Sequence, residues 1–314
     1  MTRVLKNAST RLRIGDAYSH AVAFLFGASV IGLTGLLAWE LWRNSALARR
    51  AFGLSFIVSQ TWNPVAGQFG ALAFVYGTVM TSLIALIVAV PLGVGVAIFL
   101  AELAPPRLSA AAGMLLELLA AVPSVIYGLI GIAVLVPLMR EWIQPGLKAL
   151  LPGFPLFSGP AYGIGLLTAG LVLAVMIVPF IVSVGREVLL SVPREQREAA
   201  LALGATRWES TWKVVLPYAR PGLYGAIFLA LGRALGETMA VTMVIGNRPE
   251  IAASLFAPAY SMAAVIANEF SEASEELYLH SLIEIGLVLF VLTMVVNAVA
   301  RGLIAATTDS GSGR

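Results

Sequence analysis

The stretch "SVPREQREAALALGATRWESTWKVVLPYARPG", residues 191–222, is the longest basic run of the chain and separates two strongly apolar segments. Its punctuation predicts helix, turn, helix. Pro193 suits a first turn, and Gly204 suits the position just past a helix end, where a left-handed backbone is wanted. Thr206 with Glu209 three residues on forms a capping box, and Pro217 is expected to end the second short helix. Trp208, Trp212 and Val215 then recur at i, i+4 and i+7, an apolar stripe on an element that no membrane span requires. A stripe of that kind suits a partner surface, or alternatively a helix lying on the bilayer.

Outward from this loop the chain is hydrocarbon-like. Of its 314 residues 59% are hydrophobic and 12% charged, with a mean hydropathy of +0.90, whereas a soluble domain is about 25% charged. The fold class is therefore an all-α polytopic membrane protein. A helical span needs about 20 mostly apolar residues. Six segments qualify: Ala21 to Trp39, Leu72 to Leu100, Leu118 to Met139, Ile164 to Val184, Leu223 to Gly246 and Leu279 to Ala300. A cleavable leader fits the first of these poorly, despite Ala46-Leu47-Ala48 after it, because a signal core is only about 7 to 15 residues long.

The basic residues set the orientation. Thirteen Lys and Arg fall on one side (Arg3, Lys6, Arg11, Arg13, Arg107, Arg301, Arg314 and six from Arg186 to Arg220) against six on the other (Arg43, Arg49, Arg50, Arg140, Lys148, Arg248). The positive-inside rule puts both termini in the cytoplasm. The reading divides the chain into a cytoplasmic segment over 1–19, a six-helix membrane domain over 20–304 carrying a cytoplasmic loop at 186–221, and a disordered tail over 305–314. On the outer side, "TWNPVAGQFG" (61–70) predicts a turn. Residues 247–279 gather Glu250, Glu269, Glu272, Glu275 and Glu276, which read as a solvated loop or as a field repelling free anions.

Several chemistries are excluded. With no cysteine there are no disulfides, thiolate metal sites or thiol nucleophiles. None of Lys6, Lys148 and Lys213 follows a glycine, so there is no P-loop. His20 and His280 lack metalloprotease spacing, and no G-x-S-x-G occurs, which leaves an intramembrane enzyme without a nucleophile and base. The small net charge of +3 gives no argument for nucleic acid.

Inside the fifth segment, "GRALGETMAV" (232–241) keeps Arg233 and Glu237 four residues apart. On one continuous helix they would lie a turn apart on the same face near the midplane, with Gly232 and Gly236 forming a G-x-x-x-G for a close helix neighbour. Central charges cost at least about 2.5–3.5 kcal/mol each, and in transporters they mark substrate paths. The competing reading is a structural ion pair. Glu284, near the end of the sixth segment, reads as a boundary residue.

Two motifs carry a resemblance. Glu198, Ala199, Ala200, Gly204, Val214, Leu216 and Pro217 resemble the E-A-A-x3-G-x9-I-x-L-P loop of bacterial ABC importer permeases, with Val214 in place of Ile. "GRALGETMAV" with "TMVIGN", "WNPVAGQFGALAFVYGTVMTSLIALIVAVPLGVGVAIFLAE" and "LLAAVPSVIYGLIGI" resemble the permeases of phosphate-specific importers, the ETMAV ending being similar to PstC-type rather than PstA-type subunits. The resemblance implies a type I (MetI-like) importer permease without ATPase chemistry of its own, located in a bacterial inner membrane. It implies a PstA-type permease, a PstB-type ATPase dimer carrying ATP and Mg and docking on the 186–221 loop, and a periplasmic PstS-type binding protein. Arg233 and Glu237 are then expected on the substrate path, with Glu198, Ala199, Ala200, Gly204, Leu216 and Pro217 coupling to the ATPase. Alternatives are an importer of another oxyanion, or a self-sufficient secondary transporter or channel in which the charged pair forms a proton-coupled gate.

Overall fold

The computed structural model describes the backbone of residues 2–309 and the side chains of residues 19–305. The described residues form helices without strands, apart from two isolated bridges. Among the described residues six helices are long and apolar enough to cross a membrane: span 1 (Ser19–Asn44), span 2 (Leu72–Leu103), span 3 (Ser124–Leu150), span 4 (Leu166–Leu190), span 5 (Arg207–Leu235) and span 6 (Glu276–Ala305).

Spans 2 and 4 form the centre. They approach closely because a side chain at Gly93 would meet Ile181, and one at Gly170 would meet Ile84. Buried residues gather in three groups from one face of the membrane to the other. At the outer end Phe56, Phe69, Phe74, Met262 and Leu282 pack together. Midway, Ala85, Leu173, Ile177, Ala234 and Val244 join spans 2, 4 and 5 and the helix Met239–Ile245. At the end bearing the basic loop, Ala97, Val182, Leu189, Val215 and Leu223 close the bundle. The turn expected in 61–70 is present, with Asn63 and Gln68 exchanging backbone hydrogen bonds of 2.8 and 3.1 Å. Beside it Trp62 is held edge-on by Phe69 and Phe74, each 4.9 Å between ring centres. Glu269 belongs to this outer cap: its Oε2 accepts from Trp62 Nε1 at 2.9 Å and from the Tyr278 hydroxyl at 2.6 Å. Met262 N donates to Thr78 Oγ1 at 2.9 Å, pinning the helix Met262–Glu269 to span 2.

Several boundaries differ from the sequence reading, span 3 running on to Leu150 and span 4 to Leu190. Leu118 belongs to a separate helix, Pro106–Ala120, and span 3 starts at Ser124 after a break that Pro123 enforces. Pro217 does not end its helix: a wide π turn over Thr211–Val215 precedes it, and Leu216–Leu235 follows without interruption. Span 5 stops at Leu235 and does not reach Gly246. The described part of the expected disordered tail is helical to Asp309, and 310–314 lie outside the described residues.

Candidate functional site

The basic loop folds as its punctuation dictates, up to its second helix. The helix Arg194–Ala202 closes at Gly204, whose φ of +88° is left-handed. Gly204 N donates to Leu201 O at 3.0 Å and Ala205 N to Ala200 O at 3.1 Å, the paired bonds of a Schellman end. The capping box is complete: Glu209 N donates to Thr206 Oγ1 at 3.2 Å, and Thr206 N donates to Glu209 Oε2 at 3.0 Å. Glu198, Ala199, Gly204 and Pro217 are exposed, Ala200 is buried and Leu216 is half-buried. The apolar stripe splits. Trp208 and Trp212 stand out 56% and 47% exposed with rings 5.5 Å apart, while the π turn rotates Val215 into the core.

A contact that the sequence did not announce fastens this loop to the bundle. Arg197 donates to both Glu102 oxygens, with a shortest distance of 2.8 Å, and also to the carbonyls of Leu189 at 2.7 Å and of Val192. Both side chains are mostly buried, at 20% and 11% exposure. They are 95 residues apart in the chain, so no local pattern relates them. Nearby, Arg186 Nε donates to Ser109 Oγ at 3.2 Å, tying the helix Pro106–Ala120 to span 4.

The charged pair is arranged differently from the sequence expectation. Span 5 ends at Leu235, residues 236–238 are non-helical, and a new helix starts at Met239. Glu237 therefore does not continue the helical face of Arg233. Its Oε1 accepts from Ala240 N at 3.1 Å and caps the following helix. Gly236 ends one helix with φ −91° and ψ 0°, and the short polar step Glu237-Thr238 opens the next. Among the described residues Arg233 makes no hydrogen bond and no ion pair, so the structural ion-pair reading does not hold within this chain. The Tyr127 hydroxyl at the start of span 3 lies within its electrostatic reach. That hydroxyl donates to Leu119 O at 2.7 Å.

The face around Arg233 is open. Leu229 is 59% exposed, Arg233 and Gly236 are exposed, and a side chain at Gly225 or Gly232 would meet nothing within 4 Å. Among the described residues no neighbouring helix comes within 4 Å of a side chain placed at Gly232 or Gly236. An exposed guanidinium with a planar donor fork matches an oxyanion, while an ionised carboxylate only accepts hydrogen bonds. No group of three or more His, Asp or Glu among the described residues is placed to hold a metal ion.

Glu284, expected at a boundary, is instead buried and lies 3.6 Å from Arg49 Nε.

Comparison with known proteins places the chain in a family. Residues 93–308 match the model of the binding-protein-dependent transport system inner membrane component. A protein from Mesorhizobium japonicum named phosphate transport system permease protein PstC is 50% identical over 295 residues, covering 93% of this chain and 90% of that one. The protein of the same name from Pasteurella multocida is 53% identical over 257 residues, covering 81% of this chain and 80% of the other. Among solved structures, the MetNI methionine ABC transporter in an inward-facing conformation aligns at a TM-score of 0.50 and 19% identity, over 76% of this chain and 94% of that one. That likeness concerns the fold, the MetI-like arrangement of membrane helices. With six spans, an intact E-A-A loop and these relatives, the chain belongs to the binding-protein-dependent transport system inner membrane components, alongside the PstC phosphate transport permeases.

Proposed function

We propose that this chain is one half of the translocation path of an ATP-driven phosphate importer, that Arg233 receives the anion within the membrane, and that Glu237 favours an anion still carrying a proton. The observation carrying this reading is an arginine within a membrane-spanning helix, exposed and without a hydrogen bond or ion pair among the described residues. A PstA-type permease would close that face and complete the path. Phosphate near neutral pH can donate a proton to a carboxylate; sulfate cannot. Glu237 also offsets the arginine's charge, which keeps the anion from being trapped.

The exposed surface of Glu198, Ala199, Gly204, Trp208 and Trp212 would seat in a PstB-type ATPase dimer, which would hold ATP and magnesium. A PstS-type binding protein would deliver phosphate at the opposite end. Both termini then face the cytoplasm, in a bacterial inner membrane.

The test is labelled phosphate uptake, with sulfate as control, in phosphate-starved cells lacking the gene and complemented with wild type or Arg233→Gln. Wild type restores phosphate uptake alone, and the variant fails while the complex assembles at normal levels. Normal flux through an intact Arg233→Gln complex would remove Arg233 from the path, and failure of wild type to restore phosphate uptake would overturn the substrate.

A further inference from the structure

By span order, the end of span 1 lies on the side of the membrane opposite the E-A-A loop. Three arginines cluster there, Arg43, Arg49 and Arg50, although basic residues are under-represented on that side of membrane proteins. Arg49 is engaged: it donates to Ser45 Oγ at 3.2 Å and to Trp42 O, lies 3.6 Å over the Trp42 ring, and faces Glu284. Arg43 and Arg50 are exposed, with no hydrogen bond or ion pair among the described residues.

Two adjoining cavities meet at these residues, sharing Trp42 and Arg49. One, of about 320 Å³, is a basic mouth formed by Trp39, Trp42, Arg43, Ala46, Arg49 and Arg50. The other, of about 550 Å³, is an apolar slot whose walls include Leu54, Ile57, Val75, Leu287, Val291 and Val295. Its charged lining residues are Arg49 and Glu284 alone. Along span 6 the slot runs from Glu284 to Val295, about 16 Å at about 1.5 Å per residue, directed toward the bilayer centre.

We propose that these paired cavities bind one anionic glycerophospholipid of the outer leaflet, its phosphate held by Arg43 and Arg50 and one acyl chain lying in the slot. The charge pattern selects an anionic headgroup, because two free guanidinium groups offer donors to phosphate and nothing to a headgroup amine. Trp39 and Trp42 mark the headgroup level, where indole rings concentrate. The slot's apolar walls and its run of about 16 Å along span 6 suit an extended acyl chain. Held there, the lipid would bridge spans 1 and 6.

The test uses the whole complex, purified with all subunits in mild detergent, with co-purifying phosphatidylglycerol and phosphatidylethanolamine measured by mass spectrometry. Two variants are compared with wild type: Arg43→Gln/Arg50→Gln, which removes the headgroup contacts at the surface, and Val291→Trp, which fills the slot. Assembly is checked by gel filtration. Each variant is expected to retain about tenfold less phosphatidylglycerol, with phosphatidylethanolamine unchanged. Retention equal to wild type in the assembled double variant overturns the proposal. So does loss of phosphatidylglycerol from wild type on adding inorganic phosphate, since the arginines would then be a station for the free anion. A photo-crosslinker at Ile57 that captures the other permease in place of lipid overturns it as well.

Discussion

At the scale of single residues, Arg233 and Glu237 were legible as chemistry and illegible as geometry. Two charges in an apolar run announce themselves, because their cost in lipid demands a reason. Their separation by a helix break was hidden, since "GRALGETMAV" has no proline and one continuous helix would accommodate every residue in it. The break gives Glu237 a second task, and the two tasks separate by substitution. Glu237→Gln keeps an oxygen to accept from Ala240 N but loses the charge, whereas Glu237→Ala loses both. Glu237→Gln is expected to lower phosphate uptake about tenfold or more, as hydrogen bonds to charged groups are worth about 1.5–3 kcal/mol, while leaving the melting temperature of the complex unchanged. Glu237→Ala should additionally destabilise by about 1 kcal/mol through loss of the cap. Thermal melts beside uptake assays check both, and a Gln variant with full uptake would show that the carboxylate serves as a cap and nothing more.

At the scale of elements, local signals were readable and long-range ones were not. Gly204 and the Thr206–Glu209 box close and open helices through bonds spanning a few residues, so the sequence carries them complete. Pro217 misled because the π turn before it absorbs the missing donor and the ring's bulk, leaving one helix from Arg207 to Leu235. That continuity has a mechanical consequence. Leu216 and Arg233 lie on the same rod, about 25 Å apart at about 1.5 Å per residue, so tilting the E-A-A loop moves the arginine. The Glu102–Arg197 bond adds span 2 to the same lever. Arg197→Lys is expected to fail as a replacement, because an ammonium cannot hold two carboxylate oxygens and two carbonyls in the planar fork that the guanidinium supplies. Removing one partner of such a mostly buried pair costs about 3 kcal/mol. Arg197→Ala should therefore cost more than Glu102→Ala, which leaves Arg197 its two carbonyl partners. The readout is phosphate transported per ATP hydrolysed by the whole complex, together with its melting temperature. Equal coupling in the Lys variant would mean that the loop is held by packing alone.

At the scale of the molecule, the count of spans and their apolar character were legible because lipid imposes length and composition on every crossing helix. Which spans form the centre was not, since spans 2 and 4 earn that place through Gly93 and Gly170, two glycines among 30. The result is a bundle whose central spans are covered while its outer spans stay largely exposed. Span 1 is almost entirely exposed, and the Arg233 face of span 5 is uncovered. An arginine facing lipid costs at least about 2.5–3.5 kcal/mol, so the chain by itself carries a penalty that a second permease covering this face would remove. The self-sufficient transporter reading makes the opposite demand, a path enclosed by one chain. Purified alone and reconstituted into liposomes, the chain is expected to pass no phosphate under either a phosphate or a proton gradient. Co-reconstituted with its permease partner, ATPase and binding protein, it should pass phosphate only when ATP is present on the ATPase side. Flux through the lone chain, abolished by Arg233→Gln, would keep the arginine on the path but make the carrier self-sufficient. ATP-dependent flux confined to the full assembly would show that the open face is the unfinished half of a shared pore.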